Sequence, residues 1–217
     1  MEDNVENSSA PIMEHLVELR TRIIRSLLAF LVTMSVSFYF ADDLFNFLSL
    51  PVINLLESYD QNTELIYTGL QQGFMVHIKI SIFSGFLFAF PYISFQLWRF
   101  VAPGLYKNEK KAFLPFLISS PLLFLTGAAF AFYVVMPLAF DFLLKFQQNQ
   151  GDGMVEILKI KYLGSINEYL SLTMAFIVAF GLCFQLPVLL TLLGKVGLIS
   201  SVGLANFRKY AVVAILI

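Results

Sequence analysis

Two glutamates lie among basic residues beside long apolar runs, where a carboxylate can bind a guanidinium group. Glu18 comes just before the first apolar run, and Glu109 comes just after the second. A carboxylate accepts charge-assisted and partly bidentate hydrogen bonds from arginine, whose planar guanidinium fits it better than the ammonium group of lysine does. Each of the two residues can therefore accept a guanidinium group.

The plainer alternative is that both glutamates only balance nearby charges. Arg22 follows Glu18 at i,i+4 helical spacing, a pairing that contributes about 0.3 to 0.5 kcal/mol. Glu109 stands among three lysines, and exposed charges in such surroundings are usually solvated. Taken by themselves, the residue types favour this alternative.

Gln185 is a strongly polar side chain in the middle of an apolar run. At such a position an amide is expected to face protein or a wet cavity and to form a hydrogen bond worth about 0.6 to 2 kcal/mol. It could receive a polar group from a helix of another protein, or admit water that thins the membrane locally. It could equally bond to a neighbouring helix of the same chain, and the sequence leaves these interpretations open.

The composition is that of a membrane protein. Of the 217 residues, 58% are hydrophobic and 13% charged, and the mean hydropathy of +0.77 exceeds that of an ordinary water-soluble domain. The net charge of -1 provides no broad basic surface, so we expect no nucleic-acid binding.

Motifs for catalysis are absent from the sequence. There is no G-x-x-x-x-G-K-[ST] phosphate loop, no H-E-x-x-H metal site and no G-x-S-x-G nucleophile. No apolar run holds two carboxylates that could act as general acid and base. We therefore expect a protein without enzymatic activity, metal or cofactor.

The apolar runs predict an all-α, polytopic membrane protein with a single domain over 1–217. Crossing a bilayer as a helix takes about 20 residues, and four runs are long enough, at about 23–41, 74–98, 113–144 and 169–193. A fifth, at 207–217, is too short to cross, so we expect the sequence to be a fragment of a longer chain. Prolines inside the second and third runs predict bends there.

Basic residues cluster at one side of these runs. The positive-inside rule then places the N-terminus in the cytoplasm. The clusters are Arg20, Arg22 and Arg25; Arg99, Lys107, Lys110 and Lys111; and Lys195, Arg208 and Lys209.

Two segments outside the spans are amphipathic. Within residues 1–22, apolar side chains recur at helical spacing, which predicts a short helix on the cytoplasmic surface that turns into the first span. The opposite loop, 44–56, is rich in Leu and Phe around Pro51, which predicts interfacial helices that cap the bundle.

Several stretches together resemble the TatC family, the multi-span core of the twin-arginine protein translocase. They occur in the family's order and cover most of the chain, which makes the resemblance specific. They are HLVELRTR at 15–22, Pro51, FQLWRFVAPGLYKNEKK at 95–111, YVVMPLAF at 133–140 and AFGLCFQLPV at 179–188.

The resemblance implies a concave wall of six helices, of which four and the start of a fifth are present, in the cytoplasmic (inner) membrane of a bacterium. It implies a receptor that binds signal peptides carrying paired arginines, and here it favours Glu18 and Glu109 as their ligands. The implied partners are single-span subunits of the TatA and TatB type in a multi-subunit complex that uses the proton gradient to export folded proteins.

Further residues are similar to family positions, each with a plainer alternative. Arg20 matches the signal-binding region, or only anchors the orientation. Phe100 would pack on the peptide, or is a headgroup-level aromatic. Pro51 would lie near partner helices, or only ends an interfacial helix. At Gln185 many relatives place Glu, and the amide present here can hydrogen-bond but cannot titrate.

A secondary transporter for a small solute is the rival interpretation. Such proteins keep charged residues or broken helices at the bilayer midplane and contain inverted repeats. Only Gln185 is polar at that depth, and the sequence contains no visible repeat.

Overall fold

A computed structural model describes the backbone of residues 3–59, 65–101, 110–151 and 164–195, and the side chains of 13–59, 65–100, 115–145 and 164–194. This part of the chain is almost entirely helical. The helices are α1 (Asp3–Tyr39), α2 (Ala41–Ser58), α3 (Gln72–Val101), α4 (Lys110–Phe130), a π-helical turn (Ala131–Val135), α5 (Met136–Gly151), α6 (Ile166–Cys183) and α7 (Leu186–Lys195).

Four helical segments of the described chain are long and apolar enough to cross a membrane, which confirms the four predicted crossings. They are Met13–Tyr39, Gln72–Phe100, Pro115–Lys145 and Ile166–Gly194. The predicted short run at 207–217 lies outside the described residues.

The predicted surface helix and the first span form one continuous helix in the structure. α1 runs from Asp3 to Tyr39 without a turn, so the expected break near residue 22 is wrong. The reason is local: residues 12–39 contain neither glycine nor proline, so nothing interrupts the backbone hydrogen bonds. In the same way α2 is a single helix with Pro51 inside it, so Pro51 does not end a helix.

Two helix irregularities precede prolines. Pro137 has no N–H to donate, and the turn before it widens so that the N–H of Met136 reaches the carbonyl of Ala131, five residues back. Pro187 likewise cannot donate to the carbonyl of Cys183, where α6 ends, and a tight turn at Phe184 and Gln185 leads into α7. The third and fourth spans are therefore irregular at fixed places.

Helices α1 and α3 approach each other closely at Gly85. A Cβ at this position would lie 2.7 Å from the Cα of Met34, which only glycine avoids. The hydroxyl of Thr33 also donates a hydrogen bond of 2.8 Å to the carbonyl of Gly85. Small residues that let helix backbones meet are a common basis of helix association in membranes.

Most of the core lies in the half of the bundle away from Glu18. There α2 folds back over the other helices and buries Leu48, Val52 and Leu56 among side chains of α3, the π-turn, α5 and α6. The hydroxyl of Tyr169 in α6 donates to the carbonyl of Leu48 at 2.7 Å. Helix α2 is thus packed into the bundle as well as capping it.

Polar side chains join the helices at this same end. Asp141 accepts hydrogen bonds from Lys145, at 2.7 Å, and from the hydroxyl of Tyr59. The hydrogen bond to this carboxylate, together with burial, raises the pKa of Tyr59 above its ordinary value. Lys79 of α3 donates to Asn167 of α6 at 2.7 Å. These contacts connect α3 to α6 and the end of α2 to α5.

Replacing Gly85 by alanine is expected to push α1 away from α3. The new methyl group would meet the backbone of Met34, a steric conflict that typically costs about 1 to 3 kcal/mol. Thermal unfolding in detergent should therefore occur at a lower temperature. Gly73→Ala in the same helix is the control, because its Cβ would have no neighbour closer than 4.0 Å; equal stability of the two variants would contradict the close approach.

Candidate functional site

The carboxylate of Glu18 already holds a guanidinium group, that of Arg22. The Nε and Nη2 atoms of Arg22 both donate to Oε1 of Glu18, the Nε bond measuring 3.0 Å. The third nitrogen, Nη1, donates to Oε1 of Gln96 on α3 at 3.3 Å. The sequence-predicted i,i+4 pair therefore exists, and a second helix supports it.

The other oxygen of Glu18, Oε2, is less engaged. Nδ1 of His15 lies 3.9 Å from it, which is beyond hydrogen-bonding distance. The Glu18 side chain is 35% exposed, whereas that of Arg22 is 15% exposed. Glu18 is thus partly exposed while one of its oxygens is bonded to the more buried Arg22.

Phe100 helps to hold this end of α1 against α3. Its ring stacks on that of His15, with centroids 4.2 Å apart and planes inclined by 13°. His15 and Glu18 lie on adjacent turns of α1, so the stack places Phe100 beside the carboxylate. The predicted contact of Phe100 with a peptide stays a prediction.

Glu18, Arg22, Gln96, His15 and Phe100 form a cluster at this end of α1 and α3. A groove of about 370 Å³ runs between the two helices from this cluster. Its polar members include Arg22 and Gln96. Apolar side chains line most of it, namely Leu19, Ile23, Leu27 and Phe30 from α1, and Ile93, Leu97 and Phe100 from α3. The site therefore combines a carboxylate with a neighbouring apolar groove.

Two of the predicted signal-binding residues are not joined to this cluster in the structure. Arg20 is exposed on α1, and among the described residues it has no ion pair with a carboxylate. Glu109 lies outside the described residues. The predicted role of each stays a prediction.

Gln185 lies in the turn between α6 and α7 and is only 8% exposed. Its Oε1 accepts a hydrogen bond of 2.6 Å from the hydroxyl of Ser120, and its Nε2 donates to the Ser120 carbonyl at 2.7 Å. Ser94 of α3 bonds to the same Ser120 hydroxyl at 2.7 Å. The structure thus contains the intrachain bond that the sequence left open.

Pro51 is half-buried in the middle of α2. Beside it, Leu48 and Val52 face the core, while Phe47 and Leu50 are exposed. The predicted contact of Pro51 with partner helices stays a prediction; it concerns a helix that has one face packed in the bundle and side chains exposed on another.

Sequence reasoning missed the supporting residues Gln96, Ser94 and Ser120. Gln96 is an amide one helical turn before Phe100, at the end of a mainly apolar run, and that position was a usable signal. The two serines carried no such signal, because serine is common in membrane helices and bonds readily to its own helix.

Comparisons with known proteins agree with this arrangement. Residues 14–217 match the family model of TatC, the Sec-independent protein translocase protein. The chain belongs to the TatC family. It is therefore a multi-pass component of a protein translocase, in a transport family without enzymatic activity, and the rival interpretation as a small-solute transporter is not supported.

Relatives of the chain cover nearly all of it. The TatC protein of Aquifex aeolicus is 44% identical over 94% of this chain and 80% of its own length. Those of Magnetococcus marinus and Escherichia coli K12 are 42% and 37% identical, over 71% and 74% of their own lengths. A crystal structure of the twin-arginine translocase receptor TatC superposes with a TM-score of 0.77 at 44% identity, over 92% of this chain and 83% of its own. These matches confirm the predicted family and all-α fold.

Replacing Ser120 by alanine is expected to destabilise the bundle, because Oε1 of Gln185 loses its donor. The loss should be about 0.6 to 2 kcal/mol, the range for interhelical hydrogen bonds in membranes. Thermal unfolding in detergent measures it. Ser119→Ala is the matched control, since that hydroxyl bonds to the Pro115 carbonyl of its own helix; a Ser120→Ala variant as stable as this control would show that the Gln185 cluster contributes nothing.

Proposed function

We propose that this chain is the receptor subunit of a twin-arginine translocase and binds the paired arginines of signal peptides through Glu18 and Glu109. The observation that carries the proposal is the guanidinium group already bound to Glu18. This pair supports the proposal, because the same carboxylate would accept hydrogen bonds from an arginine of a ligand, and its side chain is 35% exposed. Glu109 would supply the other carboxylate from the segment that follows α3.

The surroundings of Glu18 suit a peptide with a charged end and an apolar continuation. The arginines would meet the carboxylates, and Phe100 would pack on the neighbouring peptide residues. The apolar groove between α1 and α3 begins at the same place. Arg20 would complete the binding region from the exposed side of α1.

The proposed setting is the cytoplasmic membrane of a bacterium, with the N-terminus and Glu18 on the cytoplasmic side. This orientation rests on the basic clusters at the Glu18 end of the spans and the acidic residues at the other. As the family resemblance implies, the driving force would be the proton gradient.

Single-span subunits of the TatA and TatB type are the proposed partners. Leu182, Leu186 and Leu189 are exposed around the break at Gln185, so a partner helix could pack there while Gln185 holds the break from inside. Phe47 and Leu50 form a second exposed apolar patch, next to Pro51. Gln185 would shape the first of these surfaces, and Pro51 the second.

Glu18→Gln is expected to weaken binding of a twin-arginine peptide by about tenfold, because a charge-assisted hydrogen bond is replaced by a neutral one. Peptide binding to inside-out membrane vesicles would be measured by fluorescence anisotropy. Glu14→Gln is the control, since Glu14 is exposed one turn earlier on α1. Glu109→Gln should reduce affinity to a similar degree.

Three results would contradict the receptor proposal. The first is equal binding of a peptide in which both arginines are lysine. The second is equal affinity of the Glu18 and Glu14 variants. The third is binding to right-side-out but not to inside-out vesicles, which would place Glu18 on the wrong side of the membrane.

A photoreactive side chain at position 186 is expected to crosslink to a single-span partner subunit in native membranes. The same probe at Leu192 should not, because Leu192 is buried and only 4% exposed. Position 50 and buried Leu48 form an equivalent pair on α2. Immunoblotting for the partner reports the product, and equal yields from exposed and buried positions would exclude a defined contact.

A further inference from the structure

We propose that Arg22 is an intramolecular stand-in for the guanidinium group of the ligand, and that Gln96 is the positioning residue that receives Arg22 when a ligand displaces it. This inference rests on the proposed function, because it concerns how the Glu18 site exchanges arginines. It adds two residues to the site, one of which competes with the ligand and one of which makes the exchange possible.

The contacts of Arg22 support this role. Two of its three guanidinium nitrogens donate to a single oxygen of Glu18, the arrangement that an arginine of a ligand would seek. With Arg22 bound, the pair carries no net charge, so an approaching cation meets a weakened attraction. A ligand arginine therefore gains the full charge of Glu18 only if Arg22 turns away.

Gln96 provides a hydrogen-bond acceptor for Arg22 after Arg22 leaves Glu18. Its side chain is on α3, only 5% exposed, and its amide oxygen already accepts from Nη1 of Arg22. At 3.3 Å this bond is at the long end of the range for N–H···O hydrogen bonds, so it can shorten when Arg22 leaves Glu18. Displaced Arg22 would then stay partly bonded instead of becoming a buried cation without an acceptor.

The exchange would also favour arginine over lysine. An incoming guanidinium can replace both hydrogen bonds that Arg22 gives up, because it has the same donor geometry. An ammonium group offers one nitrogen, so it replaces the pair less completely. Because a ligand must displace Arg22, a peptide with lysines should bind more weakly than one with arginines.

Peptide affinity of Arg22 variants tests the proposal. Arg22→Gln removes the competitor, so the affinity for a twin-arginine peptide should rise by about two- to fivefold, the change expected for loss of one partly exposed ion pair. The preference for that peptide over its lysine-pair version should fall. Arg22→Lys keeps the charge but lacks the forked donors. Its affinity for the twin-arginine peptide should lie between those of wild type and Arg22→Gln.

Gln96→Met gives the second measurement, in a double-mutant cycle with Arg22→Gln. Methionine keeps the volume but removes the acceptor for displaced Arg22, so the affinity should fall by about two- to fivefold when Arg22 is present. In the Arg22→Gln background the same substitution should have no effect. A purely structural role of Gln96 would lower the affinity equally in both backgrounds.

The outcomes separate this inference from the receptor proposal. If wild type does not select the arginine peptide, both fail. If wild type selects it but Arg22→Gln binds it no better, the receptor proposal stands and the stand-in role of Arg22 is refuted. Thermal unfolding of each variant in detergent accompanies the binding data, and Gln96→Met reports on the same exchange if Arg22→Gln does not fold.

Discussion

The bilayer interior offers no hydrogen-bond partners, and most features of this structure follow from that lack. Each backbone N–H and C=O group within the spans must be satisfied by the protein, so the described chain crosses only as helices. Where proline removes a donor, the backbone changes to a π-turn before Pro137 and to a tight turn before Pro187. The second of these turns brings Gln185 to Ser120, whose hydroxyl and carbonyl satisfy the amide.

The same constraint explains how the Glu18 site is built. Charged groups are confined to the ends of the spans, where Glu18 and Arg22 share one turn of α1. Their position relative to α3 depends on close helix packing deeper in the membrane, at Gly85 and Thr33. Because α1 and α3 meet there without intervening side chains, Gln96 comes within reach of Arg22 and Phe100 stacks on His15.

The larger apolar core and the proposed binding site lie in different halves of the bundle. The larger apolar core and the polar links of α2, α5 and α6 lie at the end away from Glu18. At the Glu18 end, the Arg22–Gln96 hydrogen bond and the His15–Phe100 stack join α1 to α3, and an open apolar groove lies along the two helices. In the proposed receptor, this end would stay open to a peptide while the opposite end holds the helices together.

The amino-acid sequence determined the number and approximate limits of the spans, because length and hydropathy are properties of local segments. It also identified Gln185, since a polar side chain stands out in an apolar run, whereas Glu18 and Phe100 were singled out by their similarity to family positions. Only the tertiary structure decided which atoms meet: Gln96 with Arg22, and Ser94 and Ser120 in the Gln185 cluster. These contacts join residues far apart in the chain, and they depend on helix rotation and proximity, which local periodicity does not encode. For α1 the sequence pattern misled. The amphipathic pattern predicted a break near residue 22, but residues 12–39 contain no glycine or proline to interrupt the helix.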